Sequence, residues 1–115
     1  LQVDDPLIDA LHERGFEIGL ETNGTLPAPA GIDWICVSPK GQTTLIQTFG
    51  DELKLVYPQD GVDPRRFEHL AFRHFWLQPT DGPDLADATQ RTIAFCLDNS
   101  HWRVSLQTHK LIGIP

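Results

Sequence analysis

Basic residues, cysteines and long apolar runs are all scarce in this sequence. Nine basic residues stand against sixteen acidic ones, for a net charge of −7, and no stretch concentrates Lys and Arg. A nucleic-acid partner is therefore not expected, because binding to phosphates needs a basic patch. The longest apolar runs, such as residues 34–37 and 75–77, are far shorter than the roughly 20 residues that span a membrane. With no signal peptide pattern either, we expect a cytoplasmic protein with no membrane partner.

The reactive motifs of several enzyme classes are also missing. Cys36 and Cys96 are the only cysteines, and both lie in apolar segments, which is typical of buried structural thiols. The sequence has no Cys-x-x-Cys, no Gly-x-Ser-x-Gly and no glycine-rich phosphate loop, which disfavours redox, hydrolase and kinase readings. The five histidines lack metal-ligand spacing. We interpret four of them as surface or helix-end residues and keep only His109 as a site candidate.

The residues that are present predict an α/β fold with a mostly parallel sheet. A hydrophobic content of 40% over 115 residues suits a single domain spanning residues 1–115. Helices are expected at residues 5–15, 63–70 and 84–99, and strands at 16–20, 34–37, 52–56, 74–77 and 102–106. Residues 41–48 fit a loop or a short helix. Short apolar strands with helices between several of them are typical of a sheet buried on both faces.

The helix over residues 84–99 is the longest helical pattern in the sequence. Its apolar spacing predicts a buried face made of Leu85, Thr89, Ile93, Cys96 and Leu97.

Polar residues gather where four of the predicted strands end. They occupy residues 21–25, 38–40, 78–81 and 107–110. Loops leaving the carboxyl ends of parallel strands converge at one edge, where such folds bind their ligands. Pro39 and Pro79 would fix the backbone just past two of these strands. The structural alternatives are an Asn-Gly turn at residues 23–24 and prolines that only terminate strands. The pattern favours one site assembled from several loops.

Five ordered motifs give the sequence a family resemblance that covers the whole chain. They are residues 16–25 (FEIGLETNGT), 33–40 (DWICVSPK), 52–56 (ELKLV), 75–83 (FWLQPTDGP) and 102–115 (WRVSLQTHKLIGIP). In this order they resemble the 7-carboxy-7-deazaguanine synthase family of radical S-adenosylmethionine enzymes. The resemblance implies an α/β fold that is the C-terminal portion of a modified, partial (β/α) barrel.

The resemblance also implies a reaction and its cofactors. Family members convert 6-carboxy-5,6,7,8-tetrahydropterin into 7-carboxy-7-deazaguanine with loss of ammonia, a step in making queuosine. They are lyases that use S-adenosyl-L-methionine, a 4Fe-4S cluster and Mg²⁺, and they are implied to be homodimers.

The matching motifs also imply which residues of this sequence bind the cofactor and the substrate. Ser38, Pro39 and Lys40 would bind S-adenosyl-L-methionine, as would Gln78, Pro79, Thr80 and Asp81. Glu21 and Asn23 are weaker candidates for the same cofactor. His109 and the carboxylate of Pro115 would contact the pterin substrate, since a carboxylate accepts hydrogen bonds from an amino-pyrimidine edge.

One part of the family's sequence pattern is missing from this sequence. The family's three cluster cysteines, its magnesium ligand and its Gly-Gly-Glu-Pro segment have no counterpart here, and two cysteines this far apart cannot hold the cluster. We therefore expect the C-terminal part of a longer enzyme, inactive alone, with no catalytic or metal-binding residue of its own. Two alternatives stay open: a non-catalytic α/β module that binds a nucleoside-like ligand or a protein, and a different radical enzyme such as an activating enzyme.

Overall fold

A five-stranded parallel sheet forms the centre of the molecule. The structure is a computed structural model that describes residues 5–41 and 43–106. The strands lie side by side in chain order, and every neighbouring pair is parallel. The elements are α1 (Asp5–Glu13), β1 (Gly19–Thr22), β2 (Trp34–Val37), β3 (Phe49–Tyr57), a 3-10 helix (Pro64–Phe67), β4 (Ala71–Pro79), α2 (Leu85–Asp98) and β5 (Arg103–Val104). The α/β class and the parallel sheet expected from the sequence are confirmed.

Several helices and strands begin or end at residues other than those predicted. β1 begins at Gly19, three residues later than expected, so Glu21 and Thr22 belong to the strand and not to the loop after it. β3 and β4 are each nine residues long, because alternating apolar residues pair along nearly their whole length. The helix expected at residues 63–70 is one turn of 3-10 helix, started by Asp63, whose side chain accepts from the Arg65 N–H. Residues 43–48 form neither helix nor strand.

The hydrophobic core lies on one face of the sheet. Leu53, Leu55 and Leu77 are fully buried there, together with Val37, and Phe75 is almost so. Side chains in a strand alternate between faces, so the residues between these leucines point to the other side. Burial of a large aliphatic side chain contributes about 1.5–3 kcal/mol, so this buried layer stabilises the fold.

Helix α2 packs against the core with one face. Ala88 and Thr92 are its buried positions, and the Thr92 hydroxyl donates to the Ala88 carbonyl oxygen at 2.7 Å. The predicted buried face was wrong in part: Ile93 is 43% exposed and Leu97 80% exposed. Phe95 and Cys96 are the α2 side chains that pack against the core, while Ile93 and Leu97 face solvent.

The segments before β2 and β3 are held by polar side chains. Gln47 is 2% exposed; its amide oxygen accepts from Ala28 N–H at 2.8 Å, and its amide nitrogen donates to the Phe49 carbonyl at 2.7 Å. Asp33 accepts from His12 at 2.9 Å and from Ile18 N–H at 2.6 Å, which ties α1 to the start of β2. The hydrogen bonds from Ile18 and His12 lower the pKa of Asp33. Among residues 5–41 and 43–106, no helix has the length and apolar character needed to cross a membrane.

Candidate functional site

The end of β2 turns into a segment that is largely buried. Ser38 and Pro39 are buried, and Lys40 is exposed. Ser38 N–H donates to the Thr22 carbonyl at 2.7 Å, which closes β2 onto the end of β1. The Lys40 carbonyl accepts from both the N–H and the hydroxyl of Thr43, at 3.2 and 2.8 Å. The backbone of residues 38–40 is therefore fixed, while the Lys40 side chain reaches solvent at the carboxyl edge of the sheet.

The end of β4 is joined to the end of β3. Thr80 N–H donates to the Tyr57 carbonyl at 2.9 Å, and the Thr80 hydroxyl donates to the Pro58 carbonyl at 2.8 Å. Asp81 Oδ1 accepts from Gly82 N–H at 2.9 Å. These bonds place residues 78–81 at the same sheet edge as residues 38–40, because all strands run in one direction.

A small pocket adjoins this second segment. Its cavity volume is about 200 Å³, and it lies between Pro58, Thr80, Asp81 and the first turns of α2, with Arg91 and Asp87 on its rim. The Thr80 hydroxyl hydrogen is committed to Pro58, so towards a ligand this hydroxyl can only accept. The pocket thus offers carboxylates, one guanidinium and one hydroxyl oxygen.

The two weaker candidates have different surroundings. Glu21 lies in β1, and its carboxylate is 3.4 Å from the Lys54 ammonium. The Asn23 side-chain oxygen accepts from Thr25 N–H at 3.1 Å and from the Thr25 hydroxyl at 2.8 Å. Asn23 therefore closes a local turn, the structural alternative considered above, whereas Glu21 points onto the open face of the sheet.

The open face carries polar and aromatic residues that sequence reasoning did not assign to a site. Strand pairing sets Glu21, Cys36, Glu52 and His74 side by side across four strands. We call this surface the polar face and define it by Glu21, Trp34, Cys36, Glu52, Lys54, His74 and Trp76. The expectation of a sheet buried on both faces is wrong here, since Glu21 is exposed and Glu52, Lys54, His74 and Trp76 are half-buried. A signal existed in the sequence: polar residues alternate with buried leucine and phenylalanine at positions 52–55 and 74–77.

Cys36 and His74 also differ from their sequence interpretation. Cys36 is buried as expected, but its neighbours are charged. Burial, together with the negative charges of Glu52 and Glu21, raises the pKa of its thiol to about 11, with Lys54 acting in the opposite direction. His74 is not at a helix end; it lies within β4, partly exposed on the polar face, beside the ring of Trp34.

The described residues do not fit an iron–sulfur cluster. Cys36 lies on the polar face, whereas Cys96 is on α2 and packs against the core on the other side. Over residues 5–41 and 43–106, no group of three His, Cys, Asp or Glu side chains is arranged to hold a metal ion.

Two predicted site residues and one strand-end cluster lie outside the part of the chain that the structure describes. These are His109, Pro115 and residues 107–110. Their assignments stay predictions. The ligand assignments of the residues at the sheet edge stay predictions as well.

Comparison with known proteins gives a consistent result. The chain is 63% identical over 114 residues to a 7-carboxy-7-deazaguanine synthase of Bradyrhizobium diazoefficiens, covering 99% of this chain and 54% of that protein. It is 57% identical over 115 residues to proteins of the same name from Bordetella pertussis and Caulobacter vibrioides, covering all of this chain and 55% of each of them. The chain thus spans about half the length of these curated relatives. No protein-family model matches it.

Proposed function

In sequence this chain belongs with the 7-carboxy-7-deazaguanine synthases, and on that premise we propose that it is part of an enzyme making 7-carboxy-7-deazaguanine. The substrate is 6-carboxy-5,6,7,8-tetrahydropterin, and ammonia is lost in this step of queuosine synthesis. The observation that carries the proposal is identity of 57–63% along practically the whole chain to three proteins of that name. Because about half of each relative is matched, the active protein is proposed to be longer than this chain.

The cofactors of the proposed enzyme are S-adenosyl-L-methionine, a 4Fe-4S cluster and Mg²⁺. The described residues offer no ligand set for the cluster or the magnesium ion, so we place both sets of ligands in the remainder of the longer protein. These cofactors would supply the radical chemistry of a lyase. The role proposed for this chain is to bind and orient ligands, which is the usual contribution of protein to cofactor chemistry.

We assign S-adenosyl-L-methionine to the carboxyl edge of the sheet. Residues 38–40 and 78–81 are the proposed contacts, with Glu21 and Asn23 beside them. Support comes from the backbone hydrogen bonds that fix residues 38–40 against β1 and residues 78–81 against β3. Lys40 presents a cation that can pair with the carboxylate of the methionine moiety.

The pterin, the oligomer and the compartment are further parts of the proposal. His109 and Pro115 are proposed to contact the pterin. A homodimer is what the family resemblance implies, and a cytoplasmic setting is what the sequence composition favours.

Site variants of the longer protein test the assignment. Lys40→Ala and Asp81→Ala are each expected to weaken S-adenosyl-L-methionine binding about five- to tenfold, since a charge-assisted hydrogen bond contributes about 1–1.5 kcal/mol where solvent reaches it. The measurement is equilibrium binding together with turnover of the carboxypterin after reconstitution with iron and sulfide. Arg14→Ala and Asp98→Ala, exposed charges on the two helix ends, are matched controls.

Each result has a defined meaning. If both site variants bind and turn over as the wild type does, the site assignment is wrong. If the reconstituted wild type binds a nucleoside-like ligand but forms no 7-carboxy-7-deazaguanine, the chain belongs to a non-catalytic binding module and the proposed enzyme function is wrong.

A further inference from the structure

Residues 57–59, which we call the β3 junction, connect the two segments assigned to S-adenosyl-L-methionine. β3 lies between β2 and β4 in the sheet, so its end separates the segments that follow those two strands. On the β4 side, the carbonyls of Tyr57 and Pro58 accept from the N–H and the hydroxyl of Thr80, at 2.9 and 2.8 Å. On the β2 side, the contact is made by the side chain of Gln59. The junction therefore ties both segments to one strand end.

The side-chain amide of Gln59 makes two hydrogen bonds. Its Oε1 accepts from the Gly41 N–H at 3.1 Å, and its Nε2 donates to the Val56 carbonyl at 2.7 Å. Only this orientation of the amide satisfies both partners, because a backbone N–H can only donate and a carbonyl can only accept. The Gln59 carbonyl also accepts from the Val62 N–H at 3.2 Å. The residue is thus fixed to the end of β3 and presents an acceptor to Gly41.

The peptide group between Lys40 and Gly41 is held from both sides. Its N–H donates to Gln59, and its carbonyl, which belongs to Lys40, accepts from the N–H and the hydroxyl of Thr43 at 3.2 and 2.8 Å. A peptide group is planar and includes the Cα of the residue before it. These bonds therefore fix the point from which the Lys40 side chain leaves the backbone.

A backbone that is fixed before the ligand arrives lowers the cost of binding. Lys40 is exposed, and its long side chain loses conformational freedom when it pairs with a ligand. A mobile backbone under that side chain would add its own entropy cost. Hydrogen bonds that solvent can reach have modest net effects. Loss of the Gln59 contact should therefore weaken binding severalfold and not abolish it.

We propose that Gln59 is a positioning residue for S-adenosyl-L-methionine. It holds the peptide between Lys40 and Gly41 so that the Lys40 ammonium meets the carboxylate of the methionine moiety, and it keeps this segment in place relative to residues 78–81. In this role Gln59 acts through Lys40 and not by contact with the ligand. The inference rests on the proposed function and deepens it.

The test is a double-mutant cycle in the longer protein, with equilibrium binding of S-adenosyl-L-methionine measured by calorimetry without turnover. Gln59→Leu removes both amide hydrogen bonds at nearly constant size and should weaken binding about three- to fivefold. In a Lys40→Ala background the same substitution should change the affinity by less than about twofold, because the side chain that Gln59 positions is gone. A general disturbance of the loop would instead cost the same factor in both backgrounds.

A second variant and a control accompany the cycle. Gln59→Asn stays polar but is one methylene too short to reach both partners, and it should show the same pattern, which keeps the test decisive if Gln59→Leu does not fold. Gln90→Leu is the matched control, because it makes the same substitution at an exposed position of α2. Its affinity should equal that of the wild type.

Each outcome bears on a stated claim. No loss of affinity in the Gln59 variants, an equal loss in both backgrounds, or an equal loss in Gln90→Leu would overturn the positioning role while the assigned cofactor site stands. If Lys40→Ala binds as the wild type does, or the wild type does not bind at all, the site assignment and the positioning role are both wrong. If the expected coupling is found but the reconstituted protein forms no 7-carboxy-7-deazaguanine, the positioning role holds and the proposed reaction is wrong.

Discussion

Raising the pH above 9 is expected to destabilise the protein through Cys36. Cys36 is 8% exposed, and burial, with the charges of Glu52 and Glu21, raises the pKa of its thiol from 9.0 to about 11. Because folding raises the pKa of this thiol, the neutral thiol contributes its full stabilisation of the folded state below pH 9, the pKa of the unfolded chain. That contribution is lost as the pH rises through 11.

The size of the effect follows from the two pKa values. Their difference corresponds to at most about 2.7 kcal/mol, of which about 2 kcal/mol is lost by pH 10.5. The assay is urea denaturation of the wild type and of Cys36→Ala at pH 8 and at pH 10.5. The variant has no thiol to titrate, so the stability difference between the two proteins should shrink by about 2 kcal/mol at the higher pH.

A second cysteine supplies the control. The pKa of Cys96 is raised by burial alone, so Cys96→Ala should change the pH dependence less. If the stability difference between wild type and Cys36→Ala is the same at both pH values within about 0.5 kcal/mol, the description of the polar face around Cys36 is wrong.

Two further substitutions test how the loops are held. Gln47→Ala breaks hydrogen bonds of 2.8 and 2.7 Å and should lower the free energy of unfolding by about 2–3 kcal/mol. The control Gln90→Ala, at an exposed position, should change this free energy little. Equal effects of the two substitutions would contradict a stabilising role for the buried Gln47 side chain. Gly24→Ala should cost about 2–5 kcal/mol, because φ is +78° and the new Cβ would collide with Leu45. Gly15→Ala has a φ of +81° but open space around the Cβ position, so a thermal melt should show a smaller loss, about 1 kcal/mol, than for Gly24→Ala.

Local sequence signals predicted where helices and strands occur better than they predicted which side chains of these elements are buried. Asp5, Pro6 and Gly15 marked α1 because caps and breakers act within a few residues. Residues 34–37 were assigned as a strand with the bounds that the structure has. The class and the parallel sheet followed from the order of such elements.

The faces of the elements depend on packing between elements, which the local pattern indicates only in part. The α2 prediction counted Ile93 and Leu97 as buried because they are apolar, but both are exposed. Ala88 and Thr92 are the buried positions of this helix, and Phe95, which the pattern left out, packs against the core. Register across β1 to β4 brings Glu21, Glu52 and His74 into one row. That row cannot be derived until the strands are paired, which is why the polar face went unassigned.

Turnover by the longer protein tests the central claim most directly. The protein that contains this chain is reconstituted with iron and sulfide, supplied with S-adenosyl-L-methionine, Mg²⁺, a reductant and 6-carboxy-5,6,7,8-tetrahydropterin, and the products are separated and identified by mass spectrometry. The account predicts 7-carboxy-7-deazaguanine and one equivalent of ammonia, both reduced in Lys40→Ala. A fully reconstituted protein that cleaves S-adenosyl-L-methionine yet leaves the carboxypterin unchanged would contradict it.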